Sequence, residues 1–248
     1  MCNPFSLQDK TILITGASSG IGKATAIECS RMGARLVITG RNPERLGNTL
    51  SEMVGTDHIA VTADITLNEQ RKTLCEQVPQ LDGIVHCAGI NRRLPCKNIH
   101  DEDIRNVMAI NFEAPILLQA LLLSTRKIKR EASVVFIASK AADFPAVGNA
   151  IYSASKGALI SYAKVLALEL APRQIRVNCI CPAMVWTDMS NGGNTLTQEE
   201  LERSQQKYPL KRYGHPAEIA YLAVYLLSDA SVWMTGSRLE ITGGAKEL

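Results

Sequence analysis

Seven short apolar runs recur along this chain, each separated from the next by helical periodicity, and that alternation restricts the fold more than any other feature. The runs are Thr11–Ile14, Arg35–Ile38, His58–Val61, Gly83–Cys87, Val134–Ile137, Arg176–Ile180 and Arg238–Ile241. They are nearly continuous in hydrophobicity, as expected of parallel strands covered on both faces. Helical punctuation lies between them. Asn42-Pro43 reads as an N-cap followed by proline at the first helical position, His215-Pro216 opens Ala217–Leu227 in the same way, and Gly33 ends the first helix. Further helical patterns cover Glu113–Lys127 and Ala150–Leu170. Repeated β-α-β units with right-handed crossovers predict an α/β fold, a doubly wound parallel sheet of about seven strands with helices on both faces. Neither a repeat nor a linker interrupts the pattern, so residues 1–248 read as one domain.

Composition narrows the function classes. Hydrophobic residues make up 46% and charged residues 21% of 248, an ordinary globular balance. A net charge of +3, without a basic run interleaved with aromatics, argues against a nucleic-acid partner. Lys127-Ile128-Lys129-Arg130 is basic and reads as a solvated helix end. Met1–Lys10 lacks the apolar core of a signal peptide, and the most apolar stretch, Ala114–Leu123, is broken by Pro115 and Gln119, so no membrane span is expected. The seven cysteines are odd in number and follow no frame, which argues against a disulfide scaffold. Cys179 and Cys181 would share one strand face, but no second Cys/His pair completes a metal site, and no metal is expected. The default address is the reducing cytoplasm.

Thr15-Gly16-Ala17-Ser18-Ser19-Gly20-Ile21-Gly22 follows the first strand and opens the first helix. Glycines there let the backbone approach a pyrophosphate, and the helix N-terminus offers free N–H groups at the positive end of its dipole. The spacing G-x-x-x-G-x-G differs from the commoner G-x-G-x-x-G fingerprint, yet its position marks a Rossmann-type dinucleotide cradle. The second strand runs into Thr39-Gly40-Arg41. A carboxylate at that point would hold a ribose 2′-hydroxyl, whereas a guanidinium suits a 2′-phosphate, so NADP(H) is favoured over NAD(H).

Tyr152 and Lys156 stand four residues apart near the start of a long helical pattern, which puts both on one face. A phenol titrates near pH 10, and an ammonium about 4 Å away at an effective dielectric near 20 supplies roughly 4 kcal/mol toward lowering it, before desolvation subtracts. Together with the glycine turn, these residues resemble the short-chain dehydrogenase/reductase family over essentially the whole chain. Thr15–Gly22 matches the family's cofactor motif and Tyr152 with Lys156 its catalytic pair. Ser139, thirteen residues before Tyr152, stands where the family keeps its catalytic serine, and Asn111 matches the asparagine that completes the tetrad. By resemblance, Asp64 reaches the adenine with Ile65 beside it, Cys87-Ala88-Gly89 lies against the adenosine, and Pro182, Val185 and Thr187 belong to the segment holding the nicotinamide carboxamide. Singly, Ser139 serves equally well as a turn cap, Asn111 as a helix-backbone partner and Asp64 as an Asx-turn. The family often shows Asn-Asn-Ala-Gly where this chain has His86-Cys87-Ala88-Gly89, and Pro-Gly where it has Pro182-Ala183.

The resemblance implies an oxidoreductase in which hydride passes between NADP(H) and a carbonyl carbon. Tyr152 would exchange the proton, Ser139 would hold the substrate oxygen, Lys156 would lower the phenol pKa and bind ribose, and Asn111 would place a water leading from Lys156 to solvent. His215–Ile219, Ser228–Ala230 and Thr235–Gly244 look most like the 3-oxoacyl-[acyl-carrier-protein] reductases. A 3-oxoacyl thioester on an acyl carrier protein or CoA is therefore the leading substrate, with Lys127, Lys129, Arg130 and Arg173 as candidate carrier contacts. A sugar, polyol or steroid alcohol, or a non-catalytic NADP(H) sensor, are the alternatives. Residues 190–208 have the composition of a lid over the ligand. The apolar surface of Glu113–Lys127 and Ala150–Leu170 exceeds what one sheet face covers, which points to a homotetramer.

Overall fold

The computed structural model describes residues 3–187, 189 and 197–245. Among these, seven strands form one sheet: β1 (Thr11–Thr15), β2 (Arg35–Gly40), β3 (Ile59–Thr62), β4 (Leu81–His86), β5 (Ile128–Ile137), β6 (Arg176–Pro182) and β7 (Arg238–Ile241). Their order across the sheet is β3-β2-β1-β4-β5-β6-β7, and all pairings are parallel. The helices are α1 (Gly20–Arg31), α2 (Pro43–Glu52), α3 (Asn68–Gln77), α4 (Asp101–Met108), α5 (Ala114–Ser124), α6 (Ala150–Leu170), α7 (Gln198–Gln206) and α8 (Pro216–Leu227). Side chains alternate across each strand, so Leu13 joins one core layer and Ile12 and Ile14 the other. The first layer packs α3, α5 and α6 against the sheet. The second packs α1, α2 and α8. This is the doubly wound α/β architecture expected from the alternation of runs.

The caps behave as read. Asn42 accepts from the Arg45 N–H at 2.9 Å, and Pro216 takes the first turn of α8 behind His215. The basic run does not end a helix. β5 already begins at Ile128, pairing with Leu81. Lys127 Nζ donates to the Val78 carbonyl (2.6 Å) and Lys129 binds Asp82 (2.8 Å). Acceptors at the amino end of β4 thus draw this stretch into the sheet.

The helix read over Glu113–Lys127 also shifts. α5 stops at Ser124 and continues backward through a π turn, Ala109–Glu113, into α4. Pro115 has no N–H to give the Asn111 carbonyl at α-helical spacing, and the wider turn accommodates that loss. Through this turn Asp101–Ser124 becomes one 24-residue helical run, long and apolar enough by length and composition to cross a membrane. The shorter Ala114–Leu123 stretch concealed that length. Its Ala114, Leu118 and Leu122 are packed in the core against the sheet.

Candidate active site

A cavity of about 870 Å³ opens at the carboxyl ends of β1 and β4, where the winding of the sheet reverses. Apart from Ala17 in the glycine turn, every residue that the sequence suggested for a cofactor lines it, Gly16, Arg41, Pro182 and Thr187 among them, with Thr187 beside Gly20. Gly16 has φ of +67°, and a Cβ there would stand 2.8 Å from the Ala88 backbone, so only glycine lets the turn after β1 approach the end of β4. Thr15 Oγ1 ties the same junction, accepting from the Cys87 and Ala88 N–H groups at 3.1 and 3.2 Å. Ser19, the N-cap of α1, makes no side-chain cap bond, which leaves the first-turn N–H groups directed at the cavity. Thr39 also lines the cavity, and its buried hydroxyl has no protein partner. These features suit a phosphate-bearing dinucleotide.

Asp64 makes an Asx-turn. Its Oδ1 accepts from the Thr66 N–H (2.9 Å) and hydroxyl (2.7 Å). Partial burial raises its pKa, but the Thr66 bonds and the nearby Arg41 charge outweigh that and hold the carboxyl below its ordinary value.

Ser139, Tyr152 and Lys156 face the cavity together; Asn111 is fully buried behind its wall. Ser139 follows β5 and caps the short turn Lys140–Ala142, accepting from the Ala141 N–H at 3.1 Å. That bond aims the hydroxyl toward Tyr152 on the first turn of α6. Lys156 Nζ donates to the Ile137 carbonyl at 2.9 Å. Asn111 grips both backbone groups of Ile90, accepting from its N–H (2.8 Å) and donating to its carbonyl (2.9 Å), and also donates to Ser155 Oγ (3.0 Å). Its amide is thereby committed to holding the segment after β4. Gly89 makes this convergence possible, since a Cβ there would lie 3.2 Å from Asn111 Oδ1 and 3.4 Å from Lys156 Nζ.

The electrostatics differ from the sequence expectation. Burial pushes the Tyr152 phenol above its ordinary value, and the Ser139 hydroxyl only partly offsets this. Lys156 pays for its own burial, which pulls the ammonium down to about 8. Desolvation of the pair thus exceeds the gain anticipated from placing a charge beside a phenol. The phenol is held protonated at neutral pH, the form that delivers a proton to a developing alkoxide.

Sequence reading missed several residues around the cavity. Arg71 donates to the Ile65 and Thr66 carbonyls at 2.7 and 2.8 Å, fixing the loop after β3. Asn91, Arg92 and Arg93 line the end away from Arg41, and two adjacent arginines directly after the Gly89 turn were a visible signal. His86, in place of the frequent asparagine, stacks on Phe136 (4.7 Å between rings) and bonds Gln119 (3.0 Å). Burial pulls it to about 4, so it is neutral. Of the segment read as a lid, residues 190–196 lie outside the described residues, while Ser204, Lys207 and Tyr208 line the cavity. Lys127 and Lys129 sit at the amino ends of the strands, opposite the cavity, and Arg173 donates there to the Ile128 carbonyl. Arg130 lies early in β5 on the same side, so none of the four lies at the cavity mouth. Among the described residues no cluster of metal ligands forms, and Cys179 and Cys181 are buried free thiols.

A family model described as enoyl-(acyl carrier protein) reductase matches residues 16–246. A 3-oxoacyl-[acyl-carrier-protein] reductase of Rickettsia typhi is 33% identical over 238 residues, covering 95% of this chain and 96% of that one. The chain belongs to the short-chain dehydrogenase/reductase family. An L-xylulose reductase of Caenorhabditis elegans is equally similar, 33% identical over 247 residues with 97% of each chain covered. Among solved structures, a candidate NAD(P)-dependent gluconate 5-dehydrogenase from Beutenbergia cavernae, with NADP bound, superposes with a TM-score of 0.88 at 29% identity, covering 98% of both chains. This short-chain dehydrogenase/reductase is therefore a nicotinamide-dependent oxidoreductase, and its relatives are named for 3-oxoacyl-[acyl-carrier-protein] and for L-xylulose.

Proposed function

We propose that the chain reduces a ketone to a secondary alcohol, or runs the reverse reaction, with Tyr152, Ser139, Lys156 and Asn111 as its working group. The observation that carries this reading is the meeting of Ser139, Tyr152 and Lys156 in one cavity with the uncapped N-terminus of α1. A nicotinamide dinucleotide bound there supplies or accepts the hydride. The Ser139 hydroxyl donates to the substrate oxygen, and the Tyr152 phenol gives that oxygen its proton. Lys156 stabilises the phenolate left behind. Asn111 acts through Ile90, fixing the backbone beside Gly89 against which Lys156 packs.

NADP(H) is the proposed cofactor because Arg41, and no carboxylate, stands at the end of β2. A 3-oxoacyl thioester is the proposed substrate, supported by the Rickettsia relative. A sugar or polyol is the second reading, favoured by the xylulose reductase and the gluconate-type structure. The protein is further proposed to be cytoplasmic and to act as a single-domain homotetramer. Leu117, Val165 and Leu168, exposed on α5 and α6, supply the apolar face for assembly.

The test follows NADPH and NADH consumption with acetoacetyl-CoA for wild type and Tyr152→Phe. Consumption of NADPH that disappears in the variant supports the reading. Equal turnover by the variant would remove Tyr152 from the chemistry, and cofactor binding without turnover of any ketone would favour a sensing role.

A further inference from the structure

Among the described residues, the charges at the substrate end of the cavity all have one sign. Arg92, Arg93, Lys140 and Lys207 line that end, and the one lining carboxylate among the described residues, Asp64, belongs to the opposite end near Arg41. The acidic partners of Lys140 and Arg92 lie behind the wall. Glu240 meets Lys140 at 2.6 Å and Asp103 meets Arg92 at 2.8 Å, and neither carboxylate lines the cavity. Asp103 contacts Arg92 through Nε. The two terminal nitrogens keep their donors, arranged as a planar fork.

The frame that carries the arginines is built rather than loose. Asn111 holds Ile90 by both backbone groups, and the Leu94 N–H donates to the Gly148 carbonyl at 2.9 Å. Gly148 and Asn149 lead directly into α6, so the loop of residues 91–93 is braced against the same element that presents Tyr152. Asp103, 8% exposed and bonded to the His100 N–H at 3.1 Å, fixes the direction of the Arg92 guanidinium. Such preorganisation lowers the ordering cost of a bound anion.

We infer that this site takes a substrate bearing its own carboxylate, a hydroxy or oxo acid, with Arg92 and Arg93 as the residues that select it. The inference rests on the oxidoreductase reading but not on the thioester substrate, in whose place it sets a free acid. The guanidinium fork of Arg92 suits a planar monoanion. In the oxidising direction Tyr152, having first lost its own proton to solvent, would take the substrate hydroxyl proton, and the carbinol hydride would pass to bound NADP+, leaving a carbonyl. The carboxylate changes no bond. It positions the carbon chain, so its loss appears chiefly in KM.

The experiment compares NADP+-linked oxidation of gluconate against glucitol and glucitol 6-phosphate, and of 3-hydroxybutyrate against 2-butanol. It uses wild type, Arg92→Met, Arg93→Met and the double variant. Binding of the same compounds to the NADP+ complex is followed through tryptophan fluorescence. The expected result is a preference of tenfold or more in kcat/KM for a carboxylate over its neutral partner, collapsing by a similar factor in the double variant through KM. Equal or better use of the neutral or phosphorylated compounds, or a carboxylate preference that survives in the double variant, overturns the inference while the oxidoreductase reading stands. If no compound turns over, binding decides. Carboxylate binding lost in the double variant upholds the anion site, and absence of carboxylate binding overturns it. Failure of acetoacetyl-CoA and of every alcohol together, with NADP+ bound, would instead sink the oxidoreductase reading.

Discussion

Lys156→Met should make the protein more stable while abolishing turnover. The lysine is 5% exposed, and no carboxylate pairs with it among the described residues; its recorded hydrogen bond goes to the Ile137 carbonyl. Burial lowers its pKa from 10.5 to about 8. A difference of that size corresponds to about 3 kcal/mol of penalty when both folded and unfolded forms are charged. Methionine fills much of the same stem volume without charge, but strands the Ile137 carbonyl at a cost of about 1 kcal/mol. The net gain near neutral pH is about 2 kcal/mol, or roughly 4–8 °C in Tm for a chain of this size. The pH dependence carries a definite sign. Between the folded value near 8 and the unfolded value near 10.5, the unfolded wild type binds more protons, so wild-type stability rises with pH across that window. The variant lacks this slope, and its advantage should be full below pH 8 and shrink toward pH 10.5. Thermal unfolding by circular dichroism at pH 7 and pH 10, without cofactor, measures both quantities. A variant less stable than wild type at pH 7, or an advantage that ignores pH, would refute the argument that Lys156 is an unpaired buried cation.

Arg41→Asp should shift the ratio of NADPH to NADH use by at least tenfold toward NADH, since a charge-assisted bond is worth about 1.5–3 kcal/mol; paired kcat/KM values check it. Gly16→Ala forces a Cβ to 2.8 Å from the Ala88 backbone at positive φ, so dinucleotide affinity measured by calorimetry should fall sharply and Tm should drop. Gly89→Ala crowds Asn111 Oδ1 and Lys156 Nζ without touching the core, and kcat should fall more than Tm does. Leu168→Arg, at a position 77% exposed on α6, should reduce the mass seen by light scattering if that face builds a tetramer, and leave it unchanged if it does not.

The fold was legible because its signals are local. Continuous apolar runs, the Asn42-Pro43 cap and the glycine turn after β1 each act within a few residues, and parallel order follows from their alternation. The meeting of Ser139, Tyr152 and Lys156 was legible through motif spacing, because a helical offset of four and a strand end leave few alternative placements. Other features depended on contacts between distant segments. The basic stretch at Lys127 entered β5 only because Asp82 and the Val78 carbonyl stand beside it. The π turn at Asn111 answered Pro115 inside a helix whose full length appears only when α4 and α5 align. The sign of the Tyr152 shift needed the burial of both members of the pair, and the cationic end of the cavity needed the loop after Gly89 to fold over it. Sequence alone determined the order of strands and helices, the glycine turn and the helical pair, since those preferences are short-ranged. Tertiary structure decided charge, desolvation and which face meets the substrate, because burial and electrostatic distance are set by parts of the chain far apart in sequence.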